Sequence, residues 1–270
     1  MRVEVSGHSA FAATGGRKHA DGRAWMLFLH GSGQSHVTWT QQVRAFAYDG
    51  YNTAAPDFPG HGHSAGAPLT SIEAQADWIV AFMDVAGIEA ANIVAHSQGC
   101  LVALELGARY AHRVSSIAFI ASGAAIPVNP ALVGMAETKE PKAIAAMLSW
   151  GFGAVAHHHD NTVPGASHIC GGIRVMESNV DGALAADLKA CNAYQKGLDQ
   201  AAKITVPTAC ILAGADKMTP VKGGKALAAA LPNNTLTIIP GAGHMVTGEH
   251  PRDVNKALRA FYARQGTTAA

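Results

Sequence analysis

Short apolar runs separated by segments with helical periodicity constrain the fold of this chain more than any other feature. The runs lie near residues 25–29, 52–56, 92–96, 114–121, 208–213 and 235–239. The helical patterns lie near 37–48, 70–86, 98–110, 220–230 and 250–263. Runs that are apolar throughout are typical of strands covered on both faces. The alternation therefore predicts right-handed crossovers and a parallel sheet, with a functional site at the carboxyl ends of its strands.

The composition favours a covered sheet and argues against several classes of partner. Of the 270 residues, 49% are hydrophobic and 14% are charged, which is enough apolar material for such a core. With a net charge of +1 and no basic stripe, neither nucleic acid nor an anionic membrane is expected as a partner. No apolar run approaches the ~20 residues that span a bilayer, and the first residues carry charge where a signal peptide is apolar.

The number and spacing of the cysteines indicate the cellular compartment. The chain has four cysteines without paired spacing: Cys100, Cys170, Cys191 and Cys210. We expect them to be buried free thiols, and we expect the protein to be cytoplasmic, because such thiols persist in a reducing compartment.

Two segments fall outside the strand–helix alternation. Residues 2–14 and 17–22 predict a two-stranded antiparallel start joined by a Gly-rich turn. Between 127 and 202 there is no convincing buried strand, and the pattern predicts interrupted helices over 130–139, 141–150, 172–179 and 181–196. The sequence thus predicts a core formed by residues 1–126 and 203–270, with a helical insertion at 127–202.

A serine between small residues follows the third apolar run. Ala95-His96-Ser97-Gln98-Gly99 has the small-x-Ser-x-small pattern of a nucleophile elbow, whose tight turn holds the serine at strained dihedrals. Ala95 replaces the usual first glycine and adds one methyl group. The helical pattern that follows places Ser97 at a helix N-terminus, where developing negative charge is favoured. The alternative is an ordinary strand-to-helix turn with a capping serine.

Other segments supply the groups that a serine nucleophile needs, in the order Ser97, Asp216, His244. Asp216 follows the run at 208–213, and His244 follows the last run. In this chemistry His244 removes the serine proton, and Asp216 fixes the imidazole tautomer and stabilises the imidazolium. We expect the oxyanion to be bound by two backbone N–H groups, those of Ser32 in the turn at 30–33 and of Gln98.

Fourteen histidines make rival choices of base possible. His96 precedes the nucleophile directly, and adjacent strand residues point to opposite faces, so we expect a structural role for it. Three histidines in Gly-rich loops are expected mainly to tie loop backbones together: His30, His61 and His63. Asp57 is the weaker rival of Asp216. The alternative for Asp216 is a carboxylate at a helix N-terminus, before Thr219-Pro220.

The tract His157-His158-His159-Asp160, with His168 close by, raises a metal hypothesis. Consecutive histidines project in divergent directions, and no second ligand cluster has the usual spacing, so we expect neither a metal nor a cofactor. A solvated loop is the favoured interpretation, and one histidine at the mouth of a pocket is the alternative. A few apolar residues are candidates for a pocket wall or for the core: Met135, Trp150, Phe152, Met176, Tyr194 and Met218.

Taken together, these motifs resemble those of the α/β-hydrolase-fold superfamily over nearly the whole chain. The resemblance is carried by residues 30–33, 57–64, 95–99, 214–216 and 241–244. It implies a mostly parallel, doubly wound sheet, with residues 127–202 as a helical cap that folds over the active site and forms much of the substrate pocket. Families similar to haloalkane dehalogenases and epoxide hydrolases carry aspartate at the elbow, so Ser97 favours an acyl-enzyme route.

The resulting expectation is a serine hydrolase that acts on a small, mostly apolar ester, thioester or lactone. The same triad also serves carbon–carbon bond hydrolysis of a diketone-like substrate. A hydrolase fold with an intact triad also serves as a non-catalytic small-molecule receptor. All three possibilities have a small molecule as partner, and the sequence defines neither the acyl and leaving groups nor the oligomeric state.

Overall fold

The computed structural model describes residues 1–138, 140–154 and 167–265, and its centre is one sheet. The sheet has eight strands: β1 (Arg2–Val5), β2 (His8–Ala13), β3 (Trp25–Leu29), β4 (Asn52–Pro56), β5 (Ala91–His96), β6 (Val114–Ile120), β7 (Thr208–Ala213) and β8 (Asn234–Ile239). Their order is β1-β2-β4-β3-β5-β6-β7-β8. β2 pairs antiparallel with β1 and β4, and the other pairs are parallel. The prediction of a mostly parallel sheet is confirmed.

Helices connect the strands. The described residues form α1 (Thr40–Tyr48), α2 (Ile72–Val85), α3 (Gln98–Arg109), α4 (Pro130–Thr138), α5 (Glu140–Gly151), α6 (His168–Glu177), α7 (Ala183–Ala193), α8 (Gly197–Ala201), α9 (Val221–Ala230), α10 (Val246–Glu249) and α11 (Pro251–Ala263), with 3-10 helices at His36–Trp39 and Ala111–Arg113. α2 begins after Ser71, whose hydroxyl accepts the backbone N–H of Ala74, a standard N-cap. None of these helices has both the length and the hydrophobicity needed to cross a membrane.

Both faces of the sheet are covered, which explains why β3 is apolar throughout. On β3, Leu27 and Leu29 pack on the face covered by α2 and α3. Met26 and Phe28 pack on the opposite face, against α1 and α11. Successive side chains of a strand point to opposite faces, so a doubly covered strand needs an apolar residue at every position.

The amino-terminal hairpin is shorter than the sequence predicted. Val5 pairs with His8, and the two residues between them, Ser6 and Gly7, both have positive φ. A two-residue turn of this kind matches the twist of the strands that it joins. The hairpin is therefore complete by Ala13, and the predicted second strand at 17–22 is wrong, since those residues form turns and loop.

Between β6 and β7 the described residues form helices joined by turns and loops, with no strand among them. α4 to α7 contact one another and share an apolar cluster separate from those of the sheet, which includes Ile144, Met147, Leu148, Leu184 and Leu188. A separate cluster agrees with an inserted layer of helices. The boundaries at 127 and 202, with the core segments 1–126 and 203–270, stay a prediction.

The thiols are free, as expected, but their burial is mixed. Cys100, Cys191 and Cys210 are buried, whereas Cys170 is exposed, so the expectation of burial is wrong for Cys170. Cys170 lies in the first turn of α6, a helix that buries Met176 near its other end.

Burial at the centre of the sheet gives a stability prediction. Ile93 on β5 is fully buried, whereas Ile238 on the edge strand β8 is 38% exposed. We expect Ile93→Ala to lower the free energy of unfolding by about 2–5 kcal/mol, because it leaves a cavity between packed helices and sheet. Ile238→Ala is the matched control and should cost less than about 1 kcal/mol. Urea denaturation measures both, and equal losses would contradict this packing.

Candidate active site

Ser97 lies in a sharp turn between β5 and α3. Its backbone has φ +53° and ψ −121°, a left-handed conformation that a residue with a side chain adopts only under strain, at about 1–3 kcal/mol. The Ser97 N–H donates to the carbonyl of Ile120 at 3.1 Å, which holds the turn against β6. The hydroxyl is thus presented at the carboxyl edge of the sheet, on the first residue before a helix.

The small residues of the elbow have a physical reason. A Cβ atom on Gly99 would lie 2.5 Å from the carbonyl oxygen of Leu29 and 2.8 Å from that of His30. α3 therefore approaches the end of β3 more closely than a residue with a side chain permits. The methyl group of Ala95 is accommodated within the core formed by β5 and its neighbours. The departure from glycine at the first small position is thus compatible with the turn.

The structure brings together the side chains predicted as nucleophile, base and orienting acid. His244 Nε2 lies 2.9 Å from Ser97 Oγ, and His244 Nδ1 lies 2.8 Å from Asp216 Oδ2. All three are buried. They come from the ends of β5, β7 and β8, whose parallel pairing places their carboxyl ends at one edge of the sheet.

Asp216 is held as a carboxylate by several donors. Its Oδ1 accepts the backbone N–H groups of Met218 and Thr219, each at 2.8 Å, and its Oδ2 accepts the Thr219 hydroxyl at 2.7 Å. Burial favours the neutral acid, but the His244 imidazole and the bonds from Thr219 outweigh it and hold the pKa of Asp216 below its usual value. The contribution of the Thr219 hydroxyl was missed, although this residue closely follows Asp216 in the sequence.

The two predicted oxyanion donors are available. Among the described residues, no acceptor is found for the backbone N–H of Ser32 or of Gln98. Ser32 lines the same cavity as Ser97, and Gln98 follows Ser97 directly. The Ser32 hydroxyl donates to Gln98 Oε1 at 2.6 Å, so the side chains also link the two positions. Unpaired N–H groups beside a nucleophile are what a developing oxyanion needs.

Two neighbouring histidines act through the backbone. His96 Nε2 donates to the carbonyl of His244 at 2.8 Å, and burial together with the nearby His244 lowers the pKa of His96 to about 3. His30 Nδ1 donates to the carbonyl of Gly31, and its Nε2 accepts the N–H of Phe58 at 3.1 Å. Burial, with the nearby His61, lowers the pKa of His30 to about 4. Both rings are therefore neutral near pH 7 and hold loops in place.

The rival carboxylate Asp57 has other partners. Its Oδ1 accepts the backbone N–H of His36 at 2.6 Å and lies 2.9 Å from the ring Nδ1 of that residue. Its Oδ2 accepts the backbone N–H of His63 at 2.9 Å. Asp57 thus ties together two loops rather than contacting His244.

A cavity of about 240 Å³ opens onto Ser97 and His244. Gly31, Ser32 and Gln34 line it from the core, and the 127–202 segment contributes apolar walls. These walls are Pro127, Val128, Leu132, Met147, Trp150 and Leu188, joined by Cys191, and Ile126 of the core lines the cavity beside them. Trp150 and Met218, two of the six apolar candidates, line the cavity, whereas Leu188 and Cys191 were missed. Leu188 and Cys191 lie on one face of α7, since positions i and i+3 of a helix are neighbours.

The metal hypothesis concerns residues that the structure does not describe. His157, His158 and His159 lie outside the described residues. Within 1–138, 140–154 and 167–265, no group of three His, Cys, Asp or Glu side chains is arranged to hold a metal ion.

Comparison with known proteins identifies the family. A model of the family described as "Alpha/beta hydrolase family" matches residues 26–257. The chain belongs to the alpha/beta hydrolase family. The resemblance inferred from the motifs is therefore confirmed, and the relatives of this chain support a hydrolase of this family.

Individual relatives share most of the chain at low identity. The dihydrolipoyllysine-residue acetyltransferase component of the acetoin cleaving system of Cupriavidus necator is 27% identical over 244 residues, 88% of this chain and 63% of that protein, so the chain spans less than two thirds of it. The 3-oxoadipate enol-lactonase 1 of Acinetobacter baylyi is 26% identical over 87% of each chain. The enol-lactonase structure from Burkholderia xenovorans LB400 superposes with a TM-score of 0.88 at 24% identity, covering 97% of this chain and 100% of that one, which shows a shared fold.

The close approach at the elbow gives a prediction for Gly99→Ala. The added methyl would overlap the carbonyls of Leu29 and His30, so the strand end or the helix must shift. We expect a loss of about 1–3 kcal/mol or more in the free energy of unfolding. The control is Gly134→Ala on α4, where a Cβ meets nothing within 4 Å. That change should stabilise by about 0.5–1 kcal/mol through helix propensity. Thermal and urea unfolding measure both, and unchanged stability of Gly99→Ala would refute the contact.

Proposed function

We propose that this protein is a serine hydrolase that cleaves a small, mostly apolar ester, thioester or lactone through an acyl-enzyme. One observation carries the proposal. The Ser97 hydroxyl lies 2.9 Å from an imidazole whose other nitrogen is held by a buried carboxylate, at the wall of an apolar cavity. A serine hydroxyl attacks a carbonyl only when a base removes its proton, and this arrangement provides that base.

Acylation uses each group in turn. His244 Nε2 accepts the proton of Ser97 Oγ as the oxygen bonds to the substrate carbonyl carbon. The carbonyl oxygen becomes an oxyanion and accepts the backbone N–H groups of Ser32 and Gln98. His244 then returns the proton to the leaving oxygen or sulfur as that bond breaks. Asp216 keeps the Nδ1 proton in place and stabilises the imidazolium. The loss of one oxyanion donor would raise the activation free energy by roughly 3 kcal/mol.

Deacylation repeats the sequence with water. His244 removes a proton from a water molecule, which attacks the acyl carbonyl, and Ser97 leaves as the protonated hydroxyl. Each step uses only the side chains and backbone groups described above. The proposed reaction needs no cofactor and no metal, because nucleophile, base and oxyanion donors are all supplied by the chain.

The cavity supports a small, largely apolar substrate. Its volume of about 240 Å³ is below the ~300–1,000 Å³ of pockets for drug-sized ligands. Its walls carry many aliphatic side chains and one tryptophan, with Lys217 and Asn129 among the polar groups. A lactone is one candidate substrate, because the relative from Acinetobacter baylyi is an enol-lactonase that aligns with most of this chain.

The nucleophile gives the most direct test. We expect a fluorophosphonate to add its mass to Ser97, and we expect Ser97→Ala to lose the label and at least about 10⁴-fold in turnover of p-nitrophenyl butyrate. Ser116→Ala is the control, because Ser116 is a buried serine that donates to Asn92, outside the cavity. Peptide mass spectrometry locates the label. A label at another serine, or an active Ser97→Ala variant, would refute the proposal.

A substrate panel separates the reaction classes. p-Nitrophenyl esters of rising chain length, an enol-lactone, a thioester and a diketone for carbon–carbon cleavage are assayed with the wild type. The proposal predicts that the esters, the enol-lactone and the thioester are turned over faster than the diketone. Turnover of the diketone alone would assign the carbon–carbon alternative, and labelling without turnover of any substrate would assign a receptor.

The orienting acid gives a second test of the mechanism. Asp216→Asn should lower kcat by about 10⁴-fold, because an amide that donates to Nδ1 imposes the wrong imidazole tautomer. Asp57→Asn is the control: it neutralises another buried aspartate next to a histidine, one that has no contact with His244. Asp57→Asn should retain kcat in the folded fraction. Steady-state kinetics with circular dichroism as a folding check would refute the assignment if Asp57→Asn had the larger effect on kcat.

A further inference from the structure

A second buried aspartate lies behind the candidate oxyanion site. Asp187 is on α7, in the 127–202 segment, and is 2% exposed. Its Oδ2 accepts the backbone N–H of Gly33 at 2.7 Å and lies 3.0 Å from His61 Nε2. Its Oδ1 accepts the side-chain amides of Gln98 at 3.1 Å and Gln75 at 3.4 Å. One carboxylate thus receives four hydrogen bonds from four parts of the core.

Two of these bonds hold the two sides of the proposed oxyanion site. Gly33 follows Ser32, so its bond to Asp187 fixes the turn that carries the first donor. The Gln98 side chain bonds to Asp187 and accepts the Ser32 hydroxyl, and the backbone N–H of Gln98 is the second donor. Displacement of the turn at Ser32 and Gly33, or of the Gln98 side chain, therefore breaks a bond to the same carboxylate. An oxyanion site acts through donors that are oriented before the reaction, so such bonds matter for rate.

The geometry assigns a positive charge to His61. Its Nε2 faces the Asp187 carboxylate, and its Nδ1 lies 3.0 Å from the carbonyl oxygen of Pro59. Both partners are acceptors, and a neutral imidazole carries one N–H, so both bonds require the protonated ring. A carboxylate buried among four donors is likewise suited to the ionised form. Asp187 and His61 are thus a buried ion pair.

The surroundings of His61 agree with this assignment. His30 faces it with ring centroids 5.3 Å apart and is neutral, Asp57 lies in the same loop, and the Cys191 thiol is on the Asp187 side. Burial favours neutral His61, but the Asp187 carboxylate outweighs it and raises the pKa of His61 above its usual value. Burial also disfavours ionised Asp187, but the His61 charge and the donated bonds hold the pKa of Asp187 below its usual value.

We propose that Asp187, paired with protonated His61, is a positioning residue that couples α7 of the insertion to the oxyanion site. This inference rests on the proposed serine-hydrolase function. The same helix lines the cavity through Leu188 and Cys191, so the element that forms part of the cavity wall also orients the proposed oxyanion donors. Asp187 acts on the transition state through the backbone of residues 32 and 33 and through Gln98, and does not itself contact substrate.

The first test is kinetic. With p-nitrophenyl butyrate as probe, Asp187→Asn should lower kcat by about 10–100-fold and change KM by less than about threefold, since a misplaced donor weakens transition-state binding more than substrate binding. Glu105→Gln is the matched control. Glu105 is a fully buried carboxylate on α3 that accepts Tyr194 and Gln200 and lies outside the cavity. It should lower stability and leave kcat unchanged.

His61→Gln is the second variant and carries the test if Asp187→Asn fails to fold. It removes the paired charge and keeps a side-chain amide that donates to Asp187. We expect a fall in kcat with little change in KM, smaller than that of Asp187→Asn. A fall in kcat for Glu105→Gln equal to that of the folded Asp187 or His61 variant would overturn the inference, because loss of any buried group would then suffice.

The second test is spectroscopic and uses the wild type. At about pH 8, an ordinary histidine with a pKa near 6.5 is neutral. Nitrogen-15 NMR of assigned histidine rings should show His61 with both nitrogens protonated at this pH. As pH rises through the raised pKa of His61, the pair is lost and the stabilisation that it contributes disappears. A neutral His61 at pH 8 would overturn the ion pair.

The outcomes separate this inference from the function beneath it. If a fluorophosphonate does not label wild-type Ser97, the proposed function fails. If Ser97 is labelled and the ester is hydrolysed, but folded Asp187→Asn retains the wild-type kcat, the function stands and the positioning role of Asp187 fails. A kcat loss specific to the Asp187 and His61 variants, with a charged His61, supports it.

Discussion

The left-handed backbone at Ser97 is the constraint on which the rest of the site depends. It reverses the chain between β5 and α3 within one residue, so the helix starts directly after Ser97. Gly99 then lies against the carbonyls of Leu29 and His30, at a distance that excludes a side chain. The turn after β3 is consequently beside Ser97. The backbone of Ser32, in that short turn, therefore lies at the cavity.

Parallel pairing brings the remaining groups to the same place. β5, β6, β7 and β8 are consecutive in the sheet, and each runs in the same direction. A residue that follows the end of any of them emerges at one edge. His244, which follows β8, meets Ser97, which follows β5, across the ends of β6 and β7. Asp216 follows β7 and contacts His244 there. The strain at the elbow is offset by the packed sheet that holds these strand ends.

This arrangement explains which features the sequence could predict. Ser97, Asp216 and His244 each follow an apolar run, so the local pattern predicted their shared edge. The proposed ion pair could not be predicted from the sequence, because His61 and Asp187 are 126 residues apart and meet only when α7 packs on the core. The strand predicted at 17–22 was wrong because a two-residue turn at Ser6-Gly7 completes the hairpin early. Long-range packing and turn geometry are thus what the pattern lacks.

The two buried Asp–His pairs differ in the second group that the imidazole contacts. Asp216 faces His244 Nδ1, and the other nitrogen of that ring faces the Ser97 hydroxyl, which can donate as well as accept. One ring proton is enough for both contacts, so in the proposed reaction His244 can accept the serine proton as its second. His61 faces two groups that can only accept at its bonding distances, the Pro59 carbonyl and the Asp187 carboxylate. It must hold both protons to satisfy them, and a ring that is already protonated cannot act as a base. The second contact of each ring therefore distinguishes the two proposed roles. His244, next to a hydroxyl, can accept and release a proton, whereas His61, next to a carbonyl, stays charged.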